Sequence, residues 1–393
     1  MNPAAKNPVV ATRPEQRKLE IRWNDAESSA FHYVWLRHHA RCAEAAADDT
    51  TVKIDLLPED PASLAIAEAG IDNDCVVIHW QDETLTTRHP LVDLRRRAYD
   101  DESRRRRKHA PRLWDRGRSG EIPRFDYRAI RTDADRLELL LALRDFGFVR
   151  LSSVPAIADT IVDVAEMFGP VHVNNYGRVF DVKTDGQRQL GSNTGTHLPP
   201  HTDESYRHDA PGISFFHCLK ASDAGGESML VDGFEAARLL REQDAEAYAV
   251  LCQTPIFFQR RVLPVDDMRS HTRVLVEDID GELVGLRWTD RTLPPQDLPD
   301  DRVEPVYRAL RRFRDIVNDP ALQYCYRMQP GDLHLFDNHR VLHGRLAFAA
   351  DSGARHLQQC SVNRDEFHNN LRRLAASLAD PAADLVMCGG AVG

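Results

Sequence analysis

Residues 329–345 read QPGDLHLFDNHRVLHGR, a stretch in which a short strand pattern runs into a histidine-bearing segment. Asp332–Phe336 is predicted to be a strand, and a loop from Asp337 to Arg345 is predicted to follow it. His343 in that loop offers an imidazole nitrogen to a metal. The competing interpretation is a hydrogen-bonded histidine in a tight glycine turn. The stretch therefore predicts a strand that leads into a candidate metal ligand.

Short strand patterns continue on both sides of this stretch, from residue 122 to the end of the chain. Loop-forming residues separate them, and a few helical patterns interrupt them. The predicted strands are Gly147–Leu151, Val179–Lys183, Ile213–Leu219, Ser228–Val231, Pro255–Gln259, Arg273–Val276, Leu283–Trp288 and Arg355–Val362. The predicted helices are Leu137–Leu143, Ile157–Phe168, Phe234–Leu251, Val303–Asn318 and Glu366–Leu378. This order predicts a mainly β fold with helical cover, a sandwich or jelly roll.

The first ninety residues predict a separate, small β-rich domain. Its predicted strands are Leu19–Trp23, Phe31–Leu36, Val52–Leu57 and Cys75–Trp80. Arginines then accumulate between Arg95 and Arg118. An anion-binding or nucleic-acid-binding patch is one interpretation of this run, and a solvated, partly helical linker is the favoured one. The predicted organisation is a domain of residues 1–94, a linker of residues 95–121 and a larger domain of residues 122–393.

The overall composition argues against several functional classes. The 393 residues carry a formal net charge of −10, whereas affinity for nucleic acid depends on accumulated positive charge. No apolar run approaches the roughly 18 residues of a membrane helix, and no secretion signal is recognised at the N-terminus, so a cytoplasmic protein is expected. The seven scattered cysteines predict free thiols. The Gly-x-Ser-x-Gly motif of serine hydrolases does not occur.

His201-Thr202-Asp203 contains two further candidate metal ligands. The motif is predicted at the start of a strand, where residues two apart point to the same face and can converge. A lone His-x-Asp is weak support because the chain contains 17 histidines. Together with His343, however, it supplies the two imidazoles and one carboxylate of non-haem Fe(II) oxygenases. The sequence therefore predicts an iron site.

Two residues are candidates for holding a keto-acid co-substrate. Arg355 lies twelve residues after His343, at the start of a predicted strand. A guanidinium at that place can pair bidentately with the distal carboxylate of 2-oxoglutarate. Ser228 follows a Gly-Gly-Glu turn and offers a hydroxyl to the same carboxylate. A surface strand residue and a plain turn residue are the alternative interpretations of Arg355 and Ser228.

These residues belong to ordered blocks that resemble the γ-butyrobetaine and trimethyllysine hydroxylases, a branch of the taurine-dioxygenase-like family. The resemblance covers most of the chain. Its blocks are Trp35 to Arg37, His201 to Asp203, Pro211-Gly212, Phe216 to Lys220, Gly225-Gly226, Val231 to Phe234, Gln329 to Asp332, Phe336 to Asn338, Leu342 to Arg345 and Arg355 to Leu357. The first block resembles that family's small accessory domain.

The resemblance implies an enzyme whose catalytic domain is a double-stranded β-helix. The implied cofactor residues are His201, Asp203 and His343 for Fe(II), and Arg355, Ser228 and Arg345 for 2-oxoglutarate. O2 and 2-oxoglutarate would be consumed, giving succinate and carbon dioxide while a small polar substrate is hydroxylated, with ascorbate as reductant. A homodimer is implied as well.

The chain departs from the family at a zinc site of the accessory domain that often uses three cysteines. Ala40, Cys42 and Ala45 stand at those positions. A tetrahedral zinc site needs four ligands, and one thiol cannot provide them. Zinc is therefore predicted to be absent.

The substrate pocket also departs from the family, in which aromatic rings surround a trimethylammonium group. The candidate substrate residues are Tyr176, Phe180, Ser192, Glu204, Tyr206, Arg287, Trp288, Thr289 and Asp290. Core packing is the alternative for the aromatic ones. Thr289-Asp290 replaces an asparagine pair that helps hold the substrate's polar end in relatives. Glu204 and Asp290 are expected to attract a cation, or Arg287 an anion.

The expected substrate is a betaine-like molecule such as γ-butyrobetaine, with a trimethylammonium phosphonate or another zwitterionic amine as the alternative. Two other functions stay open on sequence alone. A non-catalytic jelly-roll binding module would lack the charge-transfer band that Fe(II) and 2-oxoglutarate give together. A nucleic-acid or protein demethylase anchored by Arg95–Arg118 would bind nucleic acid in a salt-sensitive way, and the net charge disfavours it.

Overall fold

The computed structural model describes residues 8–39, 60–81, 85–184, 196–348 and 355–381 of the chain. It comprises two compact units, Met1–Lys108 and His109–Gly393, so the predicted linker of residues 95–121 is divided between them. No helix in the described ranges is both long enough and apolar enough to cross a lipid bilayer.

The first unit contains two antiparallel sheets and short helices. Its strands are β1 (Val9–Arg13), β2 (Lys18–Arg22), β3 (Ser28–His32), β4 (Ile66–Asp72), β5 (Cys75–Trp80) and β6 (Thr86–Pro90), and its helices are α1 (Tyr33–His38), α2 (Leu91–Arg97) and α3 (Asp101–Arg107). The sheets pair as β1-β2-β3 and β4-β5-β6. Alternate residues such as Leu19, Ile21, Val76 and Ile78 are fully buried, which gives this unit its own core.

The structure corrects one predicted strand of this unit. The sequence predicts a strand over Phe31–Leu36, but the strand ends at His32 and α1 follows it. Tyr33 and Leu36 are both buried, because residues three apart lie on one face of a helix. The predicted strand Cys75–Trp80 is confirmed. The predicted strand Val52–Leu57 and the zinc positions Ala40, Cys42 and Ala45 lie outside the described residues.

The arginine-rich run forms α2 and α3, and several of its side chains pair with acids of the same unit. Arg95 pairs with Asp25 at 2.9 Å and also with Glu27. Arg106 pairs with Glu27 at 2.7 Å and with Glu102 at 3.1 Å. Exposed pairs of this kind contribute about 0–1 kcal/mol each. Part of the positive charge of the run is therefore neutralised locally.

The second unit is built mainly of strands with helices packed on them. Its strands are β7 (Arg124–Asp126), β8 (Phe148–Ser152), β9 (Phe180–Thr184), β10 (Leu198–His201), β11 (Ile213–Lys220), β12 (Ser228–Asp232), β13 (Ile256–Val262), β14 (Asp266–Thr272), β15 (Leu275–Glu277), β16 (Leu283–Leu286), β17 (Tyr324–Tyr326), β18 (Leu333–Asp337), β19 (Val341–Arg345) and β20 (Arg355–Val362). Its helices are α4 (Asp133–Phe146), α5 (Thr160–Ala165), α6 (Gly233–Gln243), α7 (Ala245–Gln253), α8 (Asp300–Val317) and α9 (Arg364–Ser377).

Two sheets of this unit carry the fold, and their orders are β7-β8-β18-β11-β20-β9 and β10-β19-β12-β17. The chain alternates between them from β9 to β12 and again from β17 to β20. Within these sheets only the β7-β8 pair is parallel. This alternation is the double-stranded β-helix of a jelly roll. The predicted fold class, a mainly β jelly-roll domain together with a small β-rich N-terminal domain, is confirmed.

Residues 233–323 form an insertion between β12 and β17. The insertion contains α6, α7, α8 and the hairpins β13-β14 and β15-β16. Helix α8 buries Leu310, Phe313 and Val317 at helical spacing, and these residues join a hydrophobic core formed largely by the insertion itself. The insertion therefore holds the loop of residues 287–299, which precedes α8, on a packed support.

Most predicted elements of this unit are confirmed to within a few residues, and three differ. Phe234–Leu251 forms two helices, because Asp244 caps the start of α7 by accepting a hydrogen bond from the backbone of the third helical residue. The predicted helix Ile157–Phe168 is helical only over α5. The predicted loop after Asp337 contains a strand, β19, which pairs with β10 on one side and β12 on the other.

Candidate functional site

His201 and His343 lie on neighbouring strands of the smaller sheet. His201 ends β10 and stands directly across the antiparallel pair from His343 on β19. Their ring centroids are 4.3 Å apart. The sequence places Asp203 on the same predicted strand as His201, and the structure corrects this, because β10 ends at His201 and Asp203 lies in the turn that follows. That turn brings the carboxylate back beside both rings.

The three side chains converge on one point. The Nε2 atoms of His201 and His343 lie 3.7 and 3.5 Å from Oδ1 of Asp203, and one ligand atom from each residue lies within 4.8 Å of the others. Nδ1 of His201 donates to the carbonyl oxygen of Pro199 at 2.9 Å, which leaves Nε2 without a proton. Burial, and then the charge of His343, lowers the pKa of His201 to about 4, so this imidazole is neutral near pH 7. This donor set fits Fe(II).

Two neighbouring side chains hold Asp203 in place. Oδ1 of Asn338 accepts from the backbone N–H of Asp203 at 2.7 Å, and Nδ2 of Asn338 donates to the Asp203 carbonyl oxygen at 3.1 Å. Nε2 of Gln359 donates to Oδ2 of Asp203 at 2.7 Å. Burial alone raises the pKa of Asp203, but the charge of His343 and the closeness of both imidazoles hold that pKa well below its usual range. Oδ1 is thereby left to face the two histidines.

The close approach of β10 to β19 depends on Gly344, the residue after His343. A Cβ at this position would lie 2.4 Å from the carbonyl oxygen of Leu198 on β10. Any side chain would push the two strands apart, and the two imidazoles with them. Glycine is therefore required here by the spacing of the site.

The three residues lie on the wall of a cavity of about 290 Å³, which two buried arginines also line. Arg355 is 8% exposed and Arg345 is 4% exposed. Ser228 lines the cavity as well, directly opposite Arg345 in the β12–β19 pair. Burial, and then the charge of Arg345, lowers the pKa of Arg355 to about 10. Within the described part of the chain the Arg355 guanidinium has no ion pair or hydrogen bond, so this corner is suited to an anion.

Tyr176, Phe180 and Tyr206 line another part of the same cavity, and we call these three residues the aromatic wall. The ring centroids of Tyr176 and Phe180 are 5.9 Å apart at 61°, and the hydroxyl oxygens of Tyr176 and Tyr206 are 3.4 Å apart. The guanidinium carbons of Arg207 and Arg260 lie 5.7 and 5.5 Å from the Tyr176 centroid. The wall can receive a cation, although two arginines already contact one of its rings.

Glu204 lines the cavity next to Asp203 and adopts a left-handed backbone conformation, with φ of +54°. This conformation is uncommon for a residue with a Cβ. Its carboxylate pairs with Nε of Arg207. Burial, and then the charge of Asp203, raises the pKa of Glu204. The charge of Glu204 is therefore engaged by Arg207, whereas the sequence suggests that Glu204 and Asp290 attract a cation.

Arg287 and Trp288, two of the predicted substrate residues, do not line the cavity. Arg287 is 3% exposed and donates to the backbone carbonyl oxygens of Arg207 and His208 at 2.8 and 3.0 Å. Trp288 packs edge-on against Phe313, with ring centroids 5.0 Å apart. Both residues stabilise the loop before α8 and do not contact the cavity.

Of the remaining predicted substrate residues, Asp290 does not line the cavity and Thr289 does. The Asp290 carboxylate pairs with Nε of Arg314 on α8 at 2.9 Å. Ser192 lies outside the described residues. Of the Thr-Asp pair that replaces two asparagines, Thr289 thus lines the cavity and Asp290 pairs with the neighbouring helix α8.

Sequence reasoning missed Gln359, Arg260 and Arg291, all of which line the cavity. A signal for Gln359 was present, because Arg355, Leu357 and Gln359 alternate along β20 and therefore share one face. Arg260 and Arg291 belong to the insertion, where no local pattern shows which side chains return to the jelly roll.

Comparison with known proteins agrees with this geometry. The model described as Taurine catabolism dioxygenase TauD, TfdA family matches residues 116–361, and the model described as Gamma-butyrobetaine hydroxylase-like, N-terminal matches residues 10–95. Gamma-butyrobetaine dioxygenase of Pseudomonas sp. (strain AK-1) is 33% identical, over 92% of this chain and 94% of its own. Gamma-butyrobetaine dioxygenase of Homo sapiens is 27% identical, over 91% of this chain and 94% of its own.

The solved structure of AAD-2 in complex with Mn(II) and N-oxalylglycine matches with a TM-score of 0.52 and 14% identity, covering 65% of this chain and 98% of that one. At such low identity the likeness concerns the fold alone. The family match, by contrast, extends over more than half of the chain and includes the triad of histidines and aspartate. The chain therefore belongs to the TauD, TfdA family and is an Fe(II)- and 2-oxoglutarate-dependent dioxygenase.

Proposed function

We propose that this dioxygenase hydroxylates a small quaternary ammonium zwitterion such as γ-butyrobetaine. The observation that carries the proposal is the shared cavity, where the two histidines and the aspartate, two buried arginines and the aromatic wall meet. Two relatives named gamma-butyrobetaine dioxygenase match over 92% and 91% of the chain, which supports the same substrate class.

In this proposal His201, Asp203 and His343 hold Fe(II). Two imidazole nitrogens and one carboxylate oxygen leave coordination positions open for the co-substrates. Bound iron supplies the O2 activation that couples decarboxylation of 2-oxoglutarate, to succinate and carbon dioxide, with hydroxylation of the substrate. Asn338 and Gln359 fix the Asp203 backbone and carboxylate, so that Oδ1 is presented to the metal.

Arg355 holds the distal carboxylate of 2-oxoglutarate, with Ser228 and Arg345 beside it. A bidentate pair between guanidinium and carboxylate is favourable here because the arginine is buried and lacks a protein acid. The co-substrate thus neutralises a charge that no acid in the described part of the protein compensates. The proposed binding place of 2-oxoglutarate is therefore the corner of the cavity that contains Arg355, beside His201, Asp203 and His343.

The substrate's trimethylammonium group lies against the aromatic wall. Contacts of a cation with the rings of Tyr176, Phe180 and Tyr206 contribute about 0.5–2 kcal/mol each when they are well placed. Thr289 also lines the cavity and offers a hydroxyl, and Glu204 lines it with a carboxylate that pairs with Arg207. The sequence adds Ser192 to the proposed substrate residues, and this residue lies outside the described ranges.

The test is a comparison of substrates in the presence of Fe(II), ascorbate and 2-oxoglutarate. Release of succinate should be stoichiometric with the addition of one oxygen atom to γ-butyrobetaine, and His201→Ala should abolish both. His356→Ala is the matched control, because His356 lies on β20, pairs with Asp181 at 2.7 Å and does not line the cavity. Native turnover by His201→Ala would refute the site. Higher kcat/KM with taurine, which has no quaternary ammonium group, than with every betaine would refute the substrate class.

A trimethylammonium phosphonate is the second candidate substrate. The positive charges of Arg260 and Arg291 on the cavity wall favour it, since a phosphonate carries more negative charge than a carboxylate. Including (2-trimethylammonioethyl)phosphonate in the same comparison decides between the two by the ratio of kcat/KM.

We also propose that the enzyme is a homodimer, as the family resemblance suggests, and that it is cytoplasmic. Light scattering should give a mass near twice the 44.6 kDa of one chain. A mass equal to one chain at micromolar concentration would contradict the dimer.

A further inference from the structure

The arginines that line the cavity differ in their partners. Arg178 pairs with Glu166, and Arg260 pairs with Asp266 at 3.1 Å. In the described part of the chain, the guanidinium of Arg291 forms no ion pair and no hydrogen bond. It is also solvent-exposed, whereas the iron-site histidines are buried. Arg291 therefore presents a free positive charge at the solvent end of the cavity.

The local chain direction explains why Arg291 is free. Its backbone N–H donates to Oγ1 of Thr289 at 3.3 Å, which ties the loop to a residue of the cavity wall. Asp290, between them, points the other way and pairs with Arg314 on α8. The neighbouring acid is thus occupied by the helix, and the positive charge alone turns toward the cavity.

The cofactors do not use this charge. The two negative charges of 2-oxoglutarate are matched by the buried guanidinium groups of Arg345 and Arg355, and Asp203 offsets part of the charge of Fe(II). Arg291 lines the same cavity as the three proposed iron ligands His201, Asp203 and His343. An anion held by Arg291 would therefore lie near the reacting centre but outside the cofactor pocket.

We infer that Arg291 binds the anionic group of the substrate and selects zwitterions over simple quaternary ammonium cations. The inference rests on the proposed function and names the residue that binds the negatively charged group of the zwitterionic substrate. A guanidinium pairs bidentately with a carboxylate or with a phosphonate, so the shared chemistry is an oxyanion. Arg291 takes over the role that sequence reasoning gives to Arg287, which the fold uses to hold backbone carbonyls.

The test compares substrates with and without the anion in Arg291→Gln and in a matched control. Arg311→Gln is that control, because Arg311 on α8 pairs with Asp315 of the same helix at 2.9 Å and does not line the cavity, so the variant removes one positive charge without changing Asp290. The substrates are γ-butyrobetaine, (2-trimethylammonioethyl)phosphonate and butyltrimethylammonium. Hydrogen bonds to charged groups predict a rise in KM of about 10- to 100-fold for the zwitterions in Arg291→Gln. The KM for butyltrimethylammonium and for 2-oxoglutarate should stay within about twofold of wild type.

The outcomes separate this inference from the proposed function. A loss confined to the carboxylate or to the phosphonate identifies which oxyanion Arg291 holds. An equal loss on all three substrates, or no loss, overturns the inference while the hydroxylase assignment stands. Wild-type protein that releases succinate with none of them overturns the proposed substrate class and this inference together. Anaerobic calorimetry of γ-butyrobetaine binding to the Fe(II)–2-oxoglutarate enzyme should show the same 10- to 100-fold difference in Kd.

Discussion

Replacing Arg355 by methionine should make the ligand-free protein more stable while it removes 2-oxoglutarate binding. The pKa of Arg355 falls to about 10 from an ordinary value above 12, through burial and then the charge of Arg345. This corresponds to about 3 kcal/mol of destabilisation at neutral pH, since a tenfold change in an equilibrium is worth about 1.36 kcal/mol. The folded pKa is the lower one, so the penalty is complete below pH 10 and disappears as the pH rises toward the unfolded value.

Methionine fills similar space without the charge, so Arg355→Met should gain at most about 3 kcal/mol, or roughly 5–10 °C in Tm. The two charge-assisted hydrogen bonds to the co-substrate are lost, which raises the KM for 2-oxoglutarate about 100-fold or more. The assay is thermal unfolding of apo protein, with and without 2-oxoglutarate and Mn(II). Wild type should be stabilised by the addition, and the variant should not.

Arg340→Met is the control, because Arg340 is equally buried but paired. Its guanidinium lies 2.8 Å from the carboxylate of Asp232, and the two side chains are 2% and 0% exposed. Removing Arg340 leaves the buried carboxylate of Asp232 without its partner, which should lower the free energy of unfolding by about 3–5 kcal/mol. Arg355→Met protein that unfolds earlier than wild type without ligand, or that keeps the shift caused by 2-oxoglutarate, would refute the reasoning that Arg355 is an uncompensated cation awaiting an anion.

Two further variants test the neighbours of the site. Gln359→Leu removes the donor to Oδ2 of Asp203 and should weaken Fe(II) binding about 10- to 100-fold in anaerobic titration, with the fold intact; unchanged affinity would contradict the positioning role. Arg287→Met leaves the carbonyl oxygens of Arg207 and His208 without their donor and should cost about 1–3 kcal/mol in urea unfolding. The KM values for γ-butyrobetaine and for 2-oxoglutarate should stay near those of wild type. A large rise in either KM would indicate that Arg287 contacts a substrate.

The metal ligands could be predicted because chemistry restricts them to few residue types in a fixed order. The strand that carries His343 could not, because its neighbours Asp337 to Arg340 are turn-forming and only pairing with β10 and β12 makes Val341–Arg345 extended. Those partners lie more than one hundred residues away in the sequence, beyond any local pattern.

The substrate side was harder to predict than the metal side. Between Arg287 and Arg291 the chain is irregular, so no fixed alternation assigns side chains to the cavity or to the core. Trp288 and Asp290 turn to the helix α8, whereas Thr289 and Arg291 turn to the cavity. That division depends on how the insertion packs. The regular strand β20 differs in this respect. Alternate residues of a strand share one face, so the position of Arg355 also predicts the position of Gln359.

The insertion of residues 233–323 has a consequence for how such an enzyme diversifies. Every proposed ligand of the metal and of the keto acid comes from the jelly-roll strands or the turn after β10, whereas Arg260, Thr289 and Arg291 come from the insertion, which has a core largely of its own. Mutations in the insertion can change which substrate is bound, while the residues that bind the metal and the keto acid stay the same. Selectivity and reactivity can thus evolve at different speeds within a single gene.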